Sequence, residues 1–484
     1  MPRILNWDVD FTRKELKTRL SQAKEAQWRF AVIWELNEQV LYGFEGGFFP
    51  LRQDTDEELI KNSEILYIFK NLRFIHAQLS ANPPSVVVRP TSNDQEDRRK
   101  ADAADRLVRY ALRTYKLQEK IDRASLHCLL YGSGFIKSIW DAETGGILDI
   151  DDEGEMLLTG DVVLSIPSPK DIFLDPYAET WDDVRFVFQK VQMPYEEAVF
   201  RFPAAKEMLK QLKDSQKSDV VEIFEYWEKG LPQNGFLGRY ALHLEDGRLL
   251  VDLKANPHRF SVGDSRPIAK LPYHLFTDID IPGEVWGKSF VEYVSGLQDM
   301  LNRLDAVNLD NIQAHGVSRL ILPEGAEISD KSITNSPWDI VKMTGSQPPH
   351  FVRAPQLMPE ITGLRQQIRM GIDELSGVNE SMFGQQSREQ SGFSMQYATN
   401  QGNMIRRRLF NKYVLFVESI YKSFLNLVRK HWSAGRTIQV IGKEKAIEAV
   451  EIKGADIDGG FDLVVEYGAS LSLDPMTRRE EILS

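Results

Sequence analysis

Two stretches of the chain share one spacing of apolar residues and lie on either side of a short insert. In residues 288–315 the apolar side chains recur at alternating intervals of four and three residues, at Phe290, Val294, Leu297, Leu301 and Leu304. In residues 357–375 the same rule gives Leu357, Ile361, Leu364, Ile368, Ile372 and Leu375, with Pro359 in the first turn, where a helix tolerates it. Such stripes are typical of a helix packed along a neighbour, so the pattern predicts two helices that run in opposite directions.

The far half of the first helix loses this apolar stripe. Its stripe positions are filled by Asn308 and Asn311, with Asp305, Asp310 and Gln313 around them. A half-helix that is polar on nearly every side either faces bulk solvent or lines a water-filled space.

The insert between the two helices, residues 316–356, is predicted to be a small module with strands. Its strand-like stretches are 319–322 and 339–343, and turns are expected at 323–325 and 345–349. About forty residues bury too little apolar surface for an independent core, and modules of this size usually depend on metals, disulfides or oligomerisation. The insert supplies neither a disulfide nor a metal-ligand set, so we expect it to depend on other copies of itself.

The rest of the chain mixes helices with antiparallel strands, and the predicted class is α+β, mainly helical. Residues 98–287 lack the alternation of strand and helix that marks a parallel sheet. The longest predicted helix, residues 393–432, exceeds the usual globular length and therefore requires neighbours along most of its course. The other predicted helices are 11–41, 57–79, 95–130 and 195–202. The predicted strands are 86–88, 135–140, 147–150, 156–158, 162–166, 184–192, 220–227, 239–244, 248–253, 437–441, 446–452 and 461–467.

Bulk properties narrow the class of protein. At 484 residues the chain is long enough for two or three domains, and 42% hydrophobic residues allow a sizeable core. Its one cysteine, Cys128, lies in an apolar run and is expected to be a buried, inert thiol in a reducing compartment. Neither a signal peptide nor a membrane-spanning run is expected. A formal charge of −12 disfavours a surface that grips nucleic acid everywhere, but not a protein that DNA passes without sticking.

One motif resembles a phosphate-binding loop in its order of residue types. Residues 283–289 end in Gly-Lys-Ser after a strand-like stretch and open the first helix. A phosphate loop needs four residues between its glycines, whereas this segment has three, and Pro282, which has no N–H, stands where the first glycine belongs. The preferred interpretation is a turn that starts the helix, with Ser289 near its cap.

No other pattern offers catalysis or a metal. Residues 149–154 resemble the start of a calcium loop, but Gly160 occupies the position of the required bidentate glutamate, so a hairpin turn is preferred. The eight histidines are scattered, without a zinc-binding motif or a nucleophile elbow. We therefore predict neither enzymatic activity nor a cofactor.

A polar loop, residues 379–394, separates the second helix of the pair from the long helix. It is either a solvated connector or a mobile loop that touches a charged polymer transiently, because amides and hydroxyls hydrogen-bond phosphates. Two basic clusters have more ordinary interpretations. Residues 98–100 lie among acidic residues at a solvated helix start, and residues 406–408 fan around their helix by about 100° each, which favours ion pairs between helices over DNA contact.

Several short motifs follow one another along the chain, and each alone is weak. They are Asn82-Pro83-Pro84 with a strand ending at Pro90, residues 130–137 (Leu-Tyr-Gly-Ser-Gly-Phe-Ile-Lys), residues 173–176 (Phe-Leu-Asp-Pro), residues 286–289 (Trp-Gly-Lys-Ser) with Leu297-Gln298 and Leu301-Asn302, residues 375–380 before Phe383-Gly384, and residues 464–470 with Asp474-Pro475. Their order and spacing resemble a portal protein of a tailed bacteriophage, and the resemblance covers most of the chain from about residue 60.

The resemblance implies a portal-type fold, assembled as a ring, with a wing, a long-helix stem, a small α/β clip and a truncated or short crown. The implied parts are an N-terminal helical part of the wing (1–97), an α+β wing (98–287), stem helices (288–315 and 357–378), the clip (316–356), a tunnel loop (379–394), a long wing or tunnel helix (395–433), a C-terminal β part of the wing (434–473) and the start of a crown or a tail (474–484).

The resemblance also implies a function and its sites. A twelve-subunit ring at one capsid vertex would form the channel for packaging and ejection of double-stranded DNA, in the virion, after assembly in the cytoplasm of the bacterial host. Its implied partners are the terminase large subunit, adaptor, neck or tail proteins, the major capsid and scaffolding proteins, and DNA bound without sequence specificity. The tunnel loop would present Gln385, Gln386, Ser387, Arg388 and Gln390 to DNA, and Asn308, Asn311 and Gln313 would face the channel. Candidates for docking on the clip are Glu324, Asp330, Lys331, Trp338 and Lys342.

Two alternatives to the portal hypothesis remain open from the sequence. A nucleotide-driven DNA-packaging enzyme would use residues 283–289 as a phosphate loop. A neck adaptor ring would share the structural role but is not expected to carry a helix–insert–helix stem with a tunnel loop.

Overall fold

Sixteen segments of the chain are described by the computed structural model. They are residues 9–42, 66–81, 83–150, 156–216, 218–231, 236–260, 267–315, 319–321, 327–328, 343–344, 350–352, 359–378, 392–433, 435–441, 447–459 and 461–466. The chain divides into two compact units. Unit 1 comprises Met1–Glu38, Lys70–Tyr293 and Gly377–Ser484, and unit 2 comprises Gln39–Phe69 and Val294–Ser376.

Long helices are prominent in the described chain, as the apolar spacing predicts. They are α1 (Val9–Tyr42), α2 (Tyr67–Ala81), α3 (Gln95–Thr114), α4 (Leu117–Tyr131), α5 (Tyr195–Arg201), α6 (Lys206–Gln216), α7 (Phe290–His315), α8 (Pro359–Ser376) and α9 (Gly392–His431). The predicted helices at 11–41, 195–202, 288–315, 357–375 and 393–432 are confirmed to within a few residues. The first part of the helix predicted at 57–79 lies outside the described residues.

The strands are short and pair antiparallel. They are β1 (Ser85–Pro90), β2 (Ser133–Asp141), β3 (Ile147–Ile150), β4 (Met156–Leu158), β5 (Asp161–Ser165), β6 (Ile172–Leu174), β7 (Phe186–Pro194), β8 (Val220–Glu228), β9 (Arg239–His243), β10 (Leu249–Ala255), β11 (Arg259–Phe260), β12 (Ile268–Ala269), β13 (Tyr273–Thr277), β14 (Ile279–Asp280), β15 (Gly287–Lys288), β16 (Arg319–Ile321), β17 (Glu327–Ile328), β18 (Met343–Thr344), β19 (His350–Val352), β20 (Arg436–Ile441), β21 (Ile447–Ile452) and β22 (Phe461–Glu466). With the helices they give the predicted α+β class.

The largest described sheet has the strand order β10-β9-β8-β7-β6 and is antiparallel throughout. The apolar face of α1 covers it, because Leu16, Leu20 and Ala23 are buried in one cluster with aromatic residues of the sheet. Those aromatic residues are Phe173, Phe186, Phe188, Phe224 and Tyr226. The predicted antiparallel pairing of these strands is therefore confirmed, and the core beneath the sheet is aromatic.

A second core lies where the sheet β13-β2-β5 meets α4 and α9. A chain of buried hydrogen bonds crosses it: the Ser138 hydroxyl lies 2.9 Å from Nε2 of His274 and 2.7 Å from the Ser423 hydroxyl, and Nδ1 of His274 lies 2.9 Å from the Ser419 hydroxyl. Burial lowers the pKa of His274 to about 3, so its ring is neutral. These bonds satisfy polar groups that would otherwise be costly to bury, and they tie α9 to the sheet.

The single helix predicted over 95–130 is wrong. The structure breaks it between α3 and α4, where Lys116 adopts a left-handed φ of +48°. The break turns the neighbouring Tyr115 inward, so that its ring lies 5.5 Å from that of Phe424 and its hydroxyl donates to Asp161 at 2.5 Å. A tertiary contact thus overrides a helical pattern that is continuous in the sequence.

Other elements were not predicted. The helix α6 is mostly polar, and it buries Leu209 in a cluster with Val221 and Ile223 of β8. The strands β6, β11, β12, β15, β17 and β19 are also additional to the predicted set. Within the insert, β16 confirms the strand predicted at 319–322, whereas of the strand predicted at 339–343 only its last residue lies in the described chain, in β18. The pairs are β16 with β19 and β17 with β18.

One bulk prediction, that of an inert cysteine, is tested directly. Cys128 is fully buried, and burial raises the pKa of its thiol well above the usual value, as expected of an inert cysteine. Among the described segments, no helix combines the length and apolarity needed to cross a membrane.

Candidate functional site

The first turn of α7 rests on a close contact between two segments that are far apart in the sequence. Residues 131–134 (Tyr-Gly-Ser-Gly) join α4 to β2, and residues 286–289 (Trp-Gly-Lys-Ser) lead into α7. Gly132 has a φ of +79°, and a Cβ placed on it would lie 2.6 Å from the carbonyl carbons of Gly287 and Lys288. A Cβ on Gly287 would overlap the carbonyl oxygen of Gly132. The Gly132–Gly287 contact therefore requires glycine on both sides.

Hydrophobic packing surrounds this contact. The Trp286 side chain is buried, with its ring 5.0 Å from that of Trp34 and 5.6 Å from that of Phe135, both in edge-on geometry. Aromatic pairs at such distances and angles stabilise a core beyond the area they bury. Trp286 thus anchors the segment that leads into α7.

Side chains satisfy the free backbone N–H groups at the start of α7. The Ser289 hydroxyl accepts from the Val291 N–H at 3.0 Å and donates to the Leu129 carbonyl at 2.5 Å. The Glu292 carboxylate accepts from the Ser289 N–H at 3.2 Å, as the glutamate of a capping box does, while the Glu292 N–H donates to the Ser289 carbonyl at 3.2 Å. The Phe290 N–H donates to the Asp278 carboxylate at 3.1 Å. The prediction that Ser289 caps this helix is confirmed.

The same contacts leave no phosphate site in residues 287–291. The N–H groups of a phosphate loop must point at the ligand, but the Gly287 N–H donates to the Ser133 hydroxyl at 2.9 Å, and the N–H groups of residues 289, 290 and 291 donate to Glu292, Asp278 and Ser289. The Lys288 ammonium lies 3.6 Å from the Glu292 carboxylate. The sequence-based rejection of a nucleotide site is supported by this geometry.

A cluster of charges lies beside this turn. The Lys412 ammonium donates to the Asp278 carbonyl at 2.8 Å and to the Asp280 carboxylate at 2.5 Å. Burial raises the pKa of the Asp278 carboxyl to about 7, although the hydrogen bond from Phe290 and the charge of Lys412 act in the opposite direction. Burial acts to raise the pKa of Asp280 too, but hydrogen bonds from Lys412 and Thr277 hold it below its usual value.

The basic clusters singled out from the sequence make contacts within the chain. Arg408 pairs with Asp280 at 2.8 Å, and the buried Arg406 donates to the Gln78 side chain. Lys100 pairs with Glu96, one turn earlier on the exposed start of α3, at 2.8 Å. These contacts support the interpretation that both clusters serve the fold.

In unit 2, α7 and α8 are antiparallel neighbours. The Arg365 guanidinium forms an ion pair with Asp305, with a second contact of 3.1 Å from Nη2 to Oδ2. A second contact lies eight residues earlier on α7 and six residues later on α8, where a Cβ on Gly371 would lie 3.5 Å from Cδ1 of Leu297. Because the contact partner on α8 moves forward as the partner on α7 moves back, the two helices run in opposite directions, as their stripes predict.

Polar residues of the pair are buried, which the sequence did not indicate. The start of α2 lies against both helices: the Tyr67 hydroxyl donates to Asp373 at 2.7 Å, and the Ile68 N–H donates to the Gln298 side chain at 3.2 Å. Gln298 in turn donates to Asn302 at 2.8 Å. The expectation of a wet half-helix is wrong for Asp305, because Arg365 supplies the charge that allows its burial.

The predicted site residues lie mostly beyond the described chain. Asn308 is half-buried on α7. Asn311 and Gln313 belong to the same helix, but their side chains are outside the described set. The tunnel-loop candidates Gln385, Gln386, Ser387, Arg388 and Gln390 and the clip candidates Glu324, Asp330, Lys331, Trp338 and Lys342 are likewise outside it. In the described residues, no group of histidine, cysteine, aspartate and glutamate could hold a metal ion.

Comparison with known families decides the identity of the chain. The sequence model of the phage P22-like portal protein family matches residues 68–231 and 279–478. The chain belongs to this portal protein family. A portal protein is a structural component of the phage capsid vertex and not an enzyme. No curated protein matches the chain.

The two matched segments of this portal protein meet at the start of α7. Residues 131–134 lie in the first segment and residues 286–289 in the second, so the Gly132–Gly287 contact joins them. Sequence reasoning quoted both motifs but did not place them together. The available signal was Gly287, at which neither a helix end nor a left-handed φ demands glycine.

Proposed function

We propose that this portal protein assembles into a closed ring, with the twelve copies implied by the resemblance, at the portal vertex of the capsid. The ring forms the channel through which double-stranded DNA is packaged and later ejected. The terminase large subunit docks on it during packaging, and adaptor, neck or tail proteins replace terminase afterwards. Major capsid and scaffolding proteins surround it in the virion.

The observation that carries this proposal is the antiparallel pair α7–α8 with a small strand module between the two helices. The described strands of that module pair with one another, β16 with β19 and β17 with β18. So small a module needs support from outside. We assign residues 288–315, which contain α7, and residues 357–378, which contain α8, to the stem of a portal protein. Residues 316–356 are assigned to the clip.

The remaining parts of the proposal follow from the same assignment. Residues 1–287, α9 and the strands to 473 form the wing, residues 379–394 form the tunnel loop, and residues 474–484 begin a crown or tail. The tunnel-loop candidates and Asn308, Asn311 and Gln313 face the channel, and the clip candidates face terminase and adaptor. A formal charge of −12 suits a channel that repels phosphates, so that DNA slides with few lasting contacts.

Electron microscopy of the purified full chain in negative stain tests the proposal. The expected result is a population of rings with a central pore in end views. Single copies or open chains of copies at high protein concentration would contradict it. Native mass spectrometry of the same sample gives the number of copies per ring.

A further inference from the structure

A small pocket beside the start of α4 collects basic side chains. The pocket lies in unit 1 and has a volume of about 560 Å³. Four of its described lining residues are basic, Lys116, Lys120, Arg123 and His127, and Glu119 supplies the one carboxylate of that lining. We call it the α4 pocket. In a chain with a formal charge of −12, such a concentration of basic groups is a local exception.

The basic residues follow one another at helical spacing. Lys120, Arg123 and His127 are separated by three and then four residues, so they lie on one side of α4. Lys116 precedes this row by four residues, at the left-handed φ that separates α3 from α4. The break in the helix and the spacing after it therefore assemble the row beside one cavity.

The described protein groups do not neutralise this row. In the part of the chain that the structure describes, the side chains of Lys116 and Arg123 form neither an ion pair nor a hydrogen bond. The Lys120 ammonium donates to the Leu164 carbonyl at 2.6 Å, which is a neutral acceptor, and it keeps two further N–H donors. Three permanent positive charges thus stand against the single carboxylate of Glu119.

His127 adds a polar atom without a partner. Its Nδ1 is buried and has no hydrogen-bond partner among the described atoms, while the ring packs 5.8 Å from that of Tyr131. Burial and the charge of Arg123 lower the pKa of His127, so the ring is neutral at pH 7. A buried polar atom without a partner costs stability, and an anion in the pocket would accept a hydrogen bond from the imidazole.

We propose that the α4 pocket binds the phosphate group of a small molecule, either free phosphate or a phosphomonoester. Such a group carries close to two negative charges at pH 7. The guanidinium of Arg123 matches two phosphate oxygens at once, and the ammonium groups of Lys116 and Lys120 supply further charge-assisted donors. A cleft lined by one sign of charge also raises the local concentration of ligands of the opposite sign.

The size and walls of the α4 pocket favour a small ligand over DNA. A volume of about 560 Å³ is within the usual range of small-molecule sites. The phosphates of a DNA duplex lie on the outside of a wide rod, which does not enter such a cavity, and each carries one charge. Leu164 and Ile166 add an apolar wall, which a sugar–phosphate backbone would not cover. The inference concerns the single copy and does not depend on the proposed ring.

Isothermal titration calorimetry of the full chain with inorganic phosphate, at constant ionic strength, tests this site. Arg123→Gln removes a guanidinium that contacts no described protein group, and Lys116→Asn keeps a residue type that tolerates a left-handed φ. Lys14→Gln, at an exposed lysine of α1 outside the pocket, is the matched control for the lost charge. We expect wild type and Lys14→Gln to bind with a dissociation constant below about 1 mM, and each pocket variant to bind about ten-fold more weakly.

Phenyl phosphate in the same titration distinguishes the two sources of the phosphate group. Tighter binding than that of inorganic phosphate indicates a phosphomonoester whose apolar part lies against Leu164 and Ile166. Equal or weaker binding indicates free phosphate. Either result supports the site, provided that binding weakens in Arg123→Gln.

Three outcomes would overturn the inference. The first is the absence of saturable phosphate binding in wild type. The second is an affinity that is unchanged in both pocket variants, or that falls equally in Lys14→Gln, because the anion would then bind elsewhere or through general charge. The third is a short DNA duplex that displaces phosphate and loses its own binding in the pocket variants, because the surface would then contact DNA.

Protection of arginine from chemical modification gives a readout that needs no variant to fold. Phenylglyoxal modifies exposed guanidinium groups, and mass spectrometry of the digested chain locates them. We expect saturating phosphate to slow the modification of Arg123 several-fold and to leave that of Arg99, an exposed arginine of α3 outside the pocket, unchanged. Equal protection of both arginines, or none at Arg123, would contradict the assignment.

Discussion

Replacing Gly287 by alanine tests whether the Gly132–Gly287 contact holds the start of α7. The added Cβ would overlap the Gly132 carbonyl oxygen and lie 3.0 Å from Cβ of Thr277 in β13. The backbone φ of Gly287 lies outside the left-handed region, so alanine can adopt its conformation. The substitution therefore changes the contact alone, whereas Gly132→Ala would add the cost of a left-handed φ, about 1–2 kcal/mol.

The magnitude follows from three effects. Forcing a methyl group into a filled space costs about 1–3 kcal/mol, and separating the segments loses the hydrogen bond from Gly287 to Ser133, worth about 1 kcal/mol. Alanine also lowers the entropy of the unfolded chain, which stabilises by about 0.4–1 kcal/mol. Together, these three effects should lower the free energy of unfolding of Gly287→Ala by about 1–3.5 kcal/mol.

Hydrogen–deuterium exchange measures this change where it occurs. Amides of residues 287–294 and 129–134 should exchange faster in Gly287→Ala, by a factor corresponding to that free energy, at a protein concentration that keeps the state of assembly constant. Gly363→Ala is the matched control, because no described atom outside its helix lies near a Cβ there, and alanine inside α8 should stabilise by about 0.5–1 kcal/mol. Exchange in Gly287→Ala within about 0.5 kcal/mol of wild type would refute the reasoning.

Three further predictions concern charged groups. Burial raises the pKa of Asp278 to about 7, so the folded chain keeps a proton that the unfolded chain has released, and stability falls as pH rises from about 4 through 7. Melting temperatures should therefore depend less on pH across this range in Asp278→Asn than in wild type. At pH 8 we expect the free energy of unfolding of Asp278→Asn to exceed that of wild type by about 4 kcal/mol. Asp305→Ala leaves the Arg365 guanidinium without its carboxylate, and we expect a loss of about 1–3 kcal/mol in urea unfolding that Arg365→Met largely restores in the double variant; a fully additive double variant would count against the pair. Purified wild type and Lys288→Ala should both show only background ATP turnover, because the N–H groups of residues 287, 289, 290 and 291 donate to protein atoms. ATP turnover that depends on Lys288 would contradict the interpretation of this segment as a helix start.

The periodic elements were predictable because their spacing is enforced by burial over many turns. The helices α7 and α8 carry long apolar stripes, and the helices predicted there and at α1 and α9 are confirmed. The capping role of Ser289 was predictable as well, because a serine followed three residues later by glutamate satisfies the first N–H groups of a helix by local contacts alone.

The features that the sequence analysis predicted wrongly all depend on contacts with residues that are distant in the sequence. The break at Lys116 exists because Tyr115 reaches Asp161 and Phe424. Gln298 and Asp305 look like water-facing residues until α2 and Arg365 are placed against them. A polar group can be buried when another segment supplies its hydrogen-bond or ion-pair partner. A single sequence does not show which segments come into contact.

The motif Gly287-Lys288-Ser289 shows how a contact with a distant segment changes the interpretation of a short sequence pattern. Gly287 is required by the close approach of Gly132, Ser289 caps α7, and Lys288 lies near the Glu292 carboxylate, which accepts from the Ser289 N–H. Each of the three residues is accounted for by the start of a helix, without a phosphate. A portal protein needs no nucleotide site of its own, and in this chain the segment that most resembles one instead joins the two parts of the sequence that define the family.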